Sequence, residues 1–275
     1  MTHAATPMNR FVQKFLSAKR AASPVALLTD FGSHDHYAGV MKAVMMSVNP
    51  DVRVIDISHA VSPQNVRQAA YLLWASYRFF PNNTVFVTVV DPAVGSDRDI
   101  LLCRIASRWF LFPDNGAADL VLQDQPPEQV LRIRQKDSPY ILAEVSKTFH
   151  GRDLFAPIAS YLSRGIRPEE LGEPCPLPKP RFSFCRRPAT KASVLHIDHF
   201  GNIVTDIMGN DRRPASLLVG RKKIRRWIST YAEAPAGTLC LVTGSSGLIE
   251  IVVNGGSAAA KLRADSGTAI LVAWK

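Results

Sequence analysis

Residues 174–180 read Pro-Cys-Pro-Leu-Pro-Lys-Pro, and this run splits the chain into two unlike halves. Each proline fixes φ and lacks a backbone N–H, so the run excludes both a helix and a central strand. It reads as a stiff, extended linker. The chain has 275 residues, 47% of them hydrophobic, enough to build a core on each side. The expected organisation is an N-terminal extension over 1–24, loosely ordered, an α/β domain over 25–173, the linker over 174–181 and a β domain over 182–275.

Before the linker, strand and helix patterns alternate. Residues 25–29, 52–57 and 84–90 are short apolar runs, the last too continuously apolar to be half exposed. Residues 101–105 and 109–112 follow as a pair. Tyr37, Val40, Met41, Val44 and Met45 recur at helical spacing, with Ser33 as the expected cap. Ser62-Pro63 reads as the opening of another helix. This order predicts an α/β fold: a mainly parallel sheet with helices on both faces. After the linker, 193–197, 239–242, 248–253 and 269–273 are short strands between glycine turns. They predict a smaller β-rich, barrel-like domain.

Composition narrows the class. No apolar run approaches the roughly 20 residues of a membrane span. Cys103, Cys175, Cys185 and Cys240 form no CxxC pair, which favours reduced thiols and a cytoplasmic protein over a disulfide or zinc framework. The net charge of +10 raises nucleic acid as a partner. The densest basic run, 221–226 with Arg212 and Arg213 nearby, lies between strand-like stretches and lacks interleaved aromatics beyond Trp227. A solvated hairpin is the favoured reading and an RNA groove the lesser one. Residues 9–22 place Phe11, Val12, Phe15 and Leu16 among Arg10, Lys14, Lys19 and Arg20, the pattern of a short basic amphipathic segment rather than a secretory signal.

In parallel sheets, ligands gather beyond the carboxyl ends of the strands. Asp30 and Asp91 each follow such an end, and Arg98 comes seven residues after Asp91. Thr148-Phe149-His150-Gly151-Arg152-Asp153 sets His150 at the mouth of an apolar helix. An acid, a fixed cation and an imidazole together can hold and polarise one water. Singly, each has a structural reading: Asp30 as a helix cap, Asp91 as an Asp-Pro turn, Arg98 as a surface partner of Asp97, His150 as a cap. Asp114-Asn115-Gly116 is a turn signal that needs no function. Asp198-His199-Phe200-Gly201-Asn202 is either a turn or the mixture of acid, ring and amide that a purine or amino-acid pocket uses. Gly244-Ser245-Ser246-Gly247 is either a hairpin loop or an anion-binding turn. No GxGxxG dinucleotide fingerprint is present.

Taken in order, these stretches resemble the S-adenosylmethionine hydroxide adenosyltransferases, relatives of the fluorinases and chlorinases. The resemblance runs over about 25–275. It includes Thr29-Asp30-Phe31-Gly32 with Asp35, Tyr37 and Lys42; Asp91-Pro92, Val94-Gly95 and Arg98; Pro113-Asp114-Asn115-Gly116; and residues 148–153. It continues through Asp198, Phe200-Gly201-Asn202, Ser245-Ser246-Gly247 and Asn254-Gly255-Gly256-Ser257.

The resemblance implies that water or hydroxide displaces methionine from C5′ of S-adenosyl-L-methionine, giving adenosine and L-methionine, with no metal and no cofactor beyond the substrate. It assigns Asp91, Arg98 and His150 to the water, Arg98 stabilising hydroxide and the other two accepting or relaying its proton. A lone carboxylate is a weak base towards water, so the cation and the imidazole should matter. It places Asp30 on the ribose hydroxyls, Phe200 and Tyr231 about adenine, and Asn202 with the Gly255 backbone at the adenine edge. Asp198 falls to the methionine ammonium, Ser245 and Ser246 to its carboxylate, and Thr148 to the substrate. It further implies a homotrimer with pockets between subunits. Four departures from the halogenases favour water over halide: Asp91 replaces a tyrosine of the fluorinases, which also lack His150, Ser246 replaces an arginine, and a long insertion is missing between Arg104 and Pro113. Asn65 and Asp206 replace an acid and an asparagine usual in the family and bear on substrate affinity. The alternatives are a non-catalytic S-adenosylmethionine or nucleoside binder and a halide-dependent adenosyltransferase.

Overall fold

The computed structural model describes residues 22–186, 188–209 and 213–274. The amphipathic segment at 9–22 and Arg212 of the basic run therefore fall almost wholly outside the described residues.

The first sheet contains β1 (Val25–Thr29), β2 (Val54–Ser58), β3 (Val85–Val89), β4 (Ile100–Ile105), β5 (Arg108–Pro113), β6 (Gln129–Ile133) and β7 (Gly172–Pro174). Its order is β2-β1-β3-β5-β4-β6-β7. β2, β1, β3 and β5 form a parallel block, and β4, β6 and β7 extend it antiparallel. Side chains alternate across a strand, so β1, fully buried, feeds two cores. Ala26 and Leu28 pack with Ala69, Leu73 and Trp74 of the helix Val66–Ser76. Val25 and Leu27 pack on the opposite face with Met41 and Met45 of the helix Tyr37–Val48 and Ile158 of the helix Ala156–Arg164. The parallel block aims its carboxyl ends at one rim, where Asp30 follows β1 and Asp91 follows β3.

Two helix starts differ from the sequence expectation. Ser33 does not cap the helix Tyr37–Val48; the cap position is His36, and no side chain bonds the free N–H groups there. Ser62 does not open the next helix. Gln64 adopts a left-handed φ of 62°, which a helix starting at Pro63 cannot absorb. The cap moves to Asn65, whose Oδ1 accepts from Gln68 N at 3.0 Å, while Gln68 Oε1 accepts from Ser62 N at 2.7 Å. That exchange resembles a capping box shifted along the chain.

The second sheet is antiparallel throughout. It comprises β8 (Lys191–Ile197), β9 (Ile203–Met208), β10 (Ser216–Val219), β11 (Lys222–Ile224), β12 (Leu239–Thr243), β13 (Leu248–Val253) and β14 (Ala269–Ala273), in the order β11-β10-β14-β8-β9-β13-β12. A bridge between Trp227 and Leu241 draws its two ends together into a nearly closed barrel around Val194, Ile207, Leu217 and Ile251. The basic run forms the β10–β11 hairpin, with only Ile224 of 221–226 buried.

The helix Val66–Ser76 joins the two sheets. Leu195, Val204 and Leu248 complete the core beneath it. Arg67 Nη2 meets Asp206 Oδ2 at 2.6 Å, Gln68 Nε2 lies 2.7 Å from His196 Nδ1, and Asn65 Nδ2 donates to Ser266 Oγ at 3.0 Å. Asn65 and Asp206 thus tie the sheets together.

Candidate active site

The rim of the parallel block opens into a cleft of about 330 Å³ lined by Asp30, Tyr37, Asp91, Thr148, Phe149 and His150, among others. Three charged or ionisable groups meet there. Arg98 Nε donates to Asp91 Oδ2 at 2.5 Å, and its Nη2 contacts the same carboxylate. Nη2 also lies 3.1 Å from His150 Nδ1. The Arg98 and Asp91 side chains are 7% and 4% exposed. Arg98 therefore belongs to the interior with Asp91, and pairs neither with Asp97 nor with solvent.

Local structure places each partner. Asn115 Nδ2 donates to Val90 O at 2.8 Å, so the turn after β5 braces the end of β3 just before Asp91. Gly95 holds φ +82°, and a Cβ there would lie 2.1 Å from the Lys147 carbonyl oxygen. The loop carrying Asp91 and Arg98 is thus pressed directly on the loop carrying Thr148 and His150. Below that second loop, buried Asp153 accepts from Ser146 N at 2.8 Å. His150 heads a π-type turn, Gly151–Phe155, which runs into the helix Ala156–Arg164. Its ring makes no capping bond. The wide turn leaves the imidazole free to face Arg98, as π-turns at functional sites commonly do.

An arginine only donates, so His150 Nδ1 accepts and the neutral ring carries its proton on Nε2. Burial pushes the His150 pKa below its ordinary value, the Arg98 charge adds to that, and Asp91 and Asp153 oppose it. The ring is accordingly neutral at neutral pH. Arg98 Nη1 is buried and bonds no described residue. A buried, unbonded guanidinium N–H is costly, and an incoming oxygen with lone pairs would satisfy it. Asp30 Oδ2 accepts from Gln64 N at 2.8 Å rather than capping the following helix.

A second cleft, about 900 Å³, opens on the antiparallel sheet and shares no lining residue with the first. Phe200 and Tyr231 stand at it, 75% and 46% exposed. Asp198 accepts from Phe200 N and Asn202 N at 2.9 and 2.8 Å and from Asn202 Nδ2 at 2.9 Å. The same Nδ2 reaches the Tyr231 hydroxyl at 3.4 Å. Ser245 and Gly255 also line it. Ser246 does not: its Oγ is buried beside the Tyr71 hydroxyl, without a hydrogen bond of good geometry.

The sequence-predicted residues therefore fall into two groups. Asp30, Asp91, Arg98, Thr148 and His150 gather at the first cleft, while Asp198, Phe200, Asn202, Tyr231, Ser245 and Gly255 gather at the second. Sequence reasoning passed over Glu250, which lines the second cleft, because an acid inside an apolar strand carries no motif. Asp153 ends the Thr148–Asp153 motif, where the sequence gives it no role of its own, yet it fixes the loop beneath Thr148. Among the described residues, no group of three or more His, Cys, Asp or Glu is placed to hold a metal ion, and no helix is long and apolar enough to cross a membrane.

Comparison with known proteins identifies the family. Residues 25–172 match the family described as the SAM hydroxide adenosyltransferase N-terminal domain, and residues 192–271 match its C-terminal domain. The (R)-S-adenosyl-L-methionine hydrolase of Thermus thermophilus is 37% identical over 86% of this chain and 93% of its own. The protein of the same name from Methanocaldococcus jannaschii is 31% identical over 82% and 87%. A fluorinase from an Actinoplanes species is 26% identical over 70% and 74%. A crystal structure of an uncharacterized conserved protein from Thermotoga maritima superposes with a TM-score of 0.82 at 31% identity, covering 90% of this chain and 99% of that one.

Proposed function

The chain belongs to the SAM hydroxide adenosyltransferase family, and on that premise we propose that it hydrolyses S-adenosyl-L-methionine to adenosine and L-methionine at Asp91, Arg98 and His150. One observation carries the reading: the guanidinium that grips Asp91 and His150 keeps its Nη1 buried and unbonded. That N–H is where the attacking oxygen binds.

The chemistry asks for little else. The leaving group departs from a sulfonium as a neutral thioether, so it needs no general acid. Holding the nucleophile in line with C5′ contributes about 7–11 kcal/mol when the geometry is close to attack. Charge cancels as hydroxide meets sulfonium, so a dry pocket favours the step. Arg98 stabilises the developing hydroxide in the manner of an oxyanion donor. His150, neutral and protonated at Nε2, donates to the water oxygen, and Asp91, paired with Arg98, takes the proton.

The remaining residues bind the substrate. Asp30 and Thr148 meet the ribose side; Phe200 and Tyr231 enclose adenine, with Asn202 and the Gly255 backbone at its edge. Ser245 and Ser246 serve the methionine carboxylate, Ser246 after turning outward from Tyr71. The family resemblance implies a homotrimer in which the second cleft of one copy covers the first cleft of another, and two clefts with no lining residue in common fit that reading.

The decisive experiment incubates the protein with S-adenosyl-L-methionine in ¹⁸O-water. Equal amounts of adenosine and methionine, with the label in the 5′-hydroxyl, are expected. Tight binding without turnover would instead make the chain a sensor, and 5′-chloro-5′-deoxyadenosine formed with chloride would make it a halide transferase. Mixing an Arg98→Met protein with a Phe200→Ala protein tests the shared site. After subunit exchange, and with substrate well below KM, two copies with complementary lesions restore kcat/KM only if each site draws on both.

A further inference from the structure

Glu250 is the one acid of the second cleft that nothing among the described residues satisfies. It lies on β13, opposite Val242 of β12 and Val204 of β9, with its side chain turned into the cleft. Its carboxyl rests directly on the loop after β12: a Cβ on Gly244 would fall 1.8 Å from Glu250 Oε1. No described residue donates a hydrogen bond to it or pairs with it, and the cleft wall contains no lysine or arginine. Asp198, its neighbour, is different. Both Asp198 oxygens already accept from the turn that holds Phe200 and Asn202. Burial raises the Glu250 pKa, and the Asp198 charge raises it further.

A half-buried carboxylate next to another, with neither donor nor cation, is destabilised until a cation arrives. Accepting the reading of this cleft as the S-adenosylmethionine site, the substrate brings two positive groups, a sulfonium and an α-ammonium. We infer that Glu250 receives the α-ammonium of the methionine moiety and is the main determinant of its recognition, with Asp198 chiefly shaping the turn. Glu250 lies against Gly244 and the adjoining Ser245, so ammonium and carboxylate of the amino acid are met by neighbouring parts of one loop and strand. Adenosine lacks the ammonium and gains nothing from Glu250, so it is free to leave after the reaction.

The test compares the unaltered protein with Glu250→Gln, which keeps the shape and removes the charge. KM and Kd for S-adenosyl-L-methionine should rise about tenfold or more, the effect of a charged hydrogen bond, with kcat changed far less. Affinity for adenosine, and for the α-deaminated substrate analogue, should be the same in both proteins. Glu250→Asp should recover part of the loss. An unchanged KM in Glu250→Gln, or an equal loss of adenosine affinity, overturns the assignment.

The unaltered protein supplies an independent reading should the variant not fold. Tyr231, which lines the cleft, and buried Tyr71 behind it stay neutral near pH 7, so Glu250 is the group read on the acid side. Substrate affinity should fall with acid through a step above the ordinary glutamate range, while adenosine affinity stays level; a level profile for both overturns the inference. Absence of turnover by the unaltered protein defeats the hydrolase reading instead, and the Kd comparison still decides Glu250.

Discussion

Arg98 and Phe200 are the central side chains of the two clefts, and the chain treats them in opposite ways. Arg98 is 7% exposed and already bonded to Asp91 and His150. Phe200 is 75% exposed, and its one ring contact among the described residues is with His199, itself at the surface. The contrast follows from what each must do. Charged groups that stabilise a transition state have to be oriented beforehand, because reorganising them during the reaction costs the energy they are meant to supply. A ring that stacks on a base needs only a flat face, so it can wait in water for its ligand. One cleft is thus prepared for chemistry and the other for capture.

Arg98→Met gives the largest effect expected. It leaves Asp91 and His150 without their common partner and removes the donor for the attacking oxygen. Steady-state kinetics should show kcat down about a thousandfold at a nearly constant KM, the scale of losing an oxyanion donor. Arg98→Lys should recover little, because an ammonium cannot bond Asp91 and His150 while keeping a third N–H for the water. A large rise in KM at constant kcat would break the comparison by making the prepared cleft a binding device.

A pair of glycines sharpens the same contrast. Gly95 and Gly255 have φ values of +82° and +70°, so alanine strains the backbone at both. Only Gly95 has a neighbour in the way, the Lys147 carbonyl; a Cβ at Gly255 meets nothing within 4 Å. Gly95→Ala should push the Asp91 loop from the His150 loop and lower kcat about a hundredfold, as small misplacements of reacting groups do. Gly255→Ala should change kcat only a few-fold. Similar kcat losses would assign both effects to strain and erase the distinction.

Phe200→Ala should act on KM. Losing one face of a base stack costs about 1–3 kcal/mol, or roughly five- to 150-fold in KM, with kcat at saturation close to that of the unaltered protein. The melting temperature should hardly move, because an exposed ring adds little to the folded state.

The same contrast governs what could be read from the sequence. β1 and β3 were legible because continuous burial demands continuous apolar runs, and Asp30 and Asp91 were legible as the acids that end them. The triad was legible only as a set of types: Arg98 lies in a loop of ordinary composition, and its burial depends on Gly95 meeting Lys147 across the cleft. The displaced helix cap at Asn65 was hidden because it turns on the left-handed Gln64, which no residue preference announces. Asn65 and Asp206 looked like pocket residues by position along the chain, but Asn65 Nδ2 bonds Ser266 Oγ and Asp206 pairs with Arg67, both across the gap between the sheets. Glu250 was unreadable for a related reason, since its significance lies in the bonds it does not make.

His150 provides the mildest test, through pH. Its pKa is held below the ordinary histidine value by burial and by Arg98, so the neutral ring is the working form. Acid that protonates Nδ1 sets a positive ring against the guanidinium and removes the acceptor that orients it. In the unaltered protein, kcat should therefore fall as pH drops through a value below the ordinary ~6.5 of histidine. Stability follows the same sign. The unfolded chain takes up the proton first, so the His150 contribution is complete above the unfolded pKa and is lost as pH falls through the folded one. Glutamine at position 150 keeps an acceptor for Arg98 and a donor for the water but cannot titrate. His150→Gln should keep measurable activity, lose the acid limb of kcat, and show a melting temperature that varies less between about pH 5 and 7. An acid limb that persists in this variant would transfer the titration to another group of the prepared cleft. A limb centred above the ordinary histidine value would mean that the attraction of Asp91 outweighs burial and Arg98 together, and that the prepared cleft works with a charged ring.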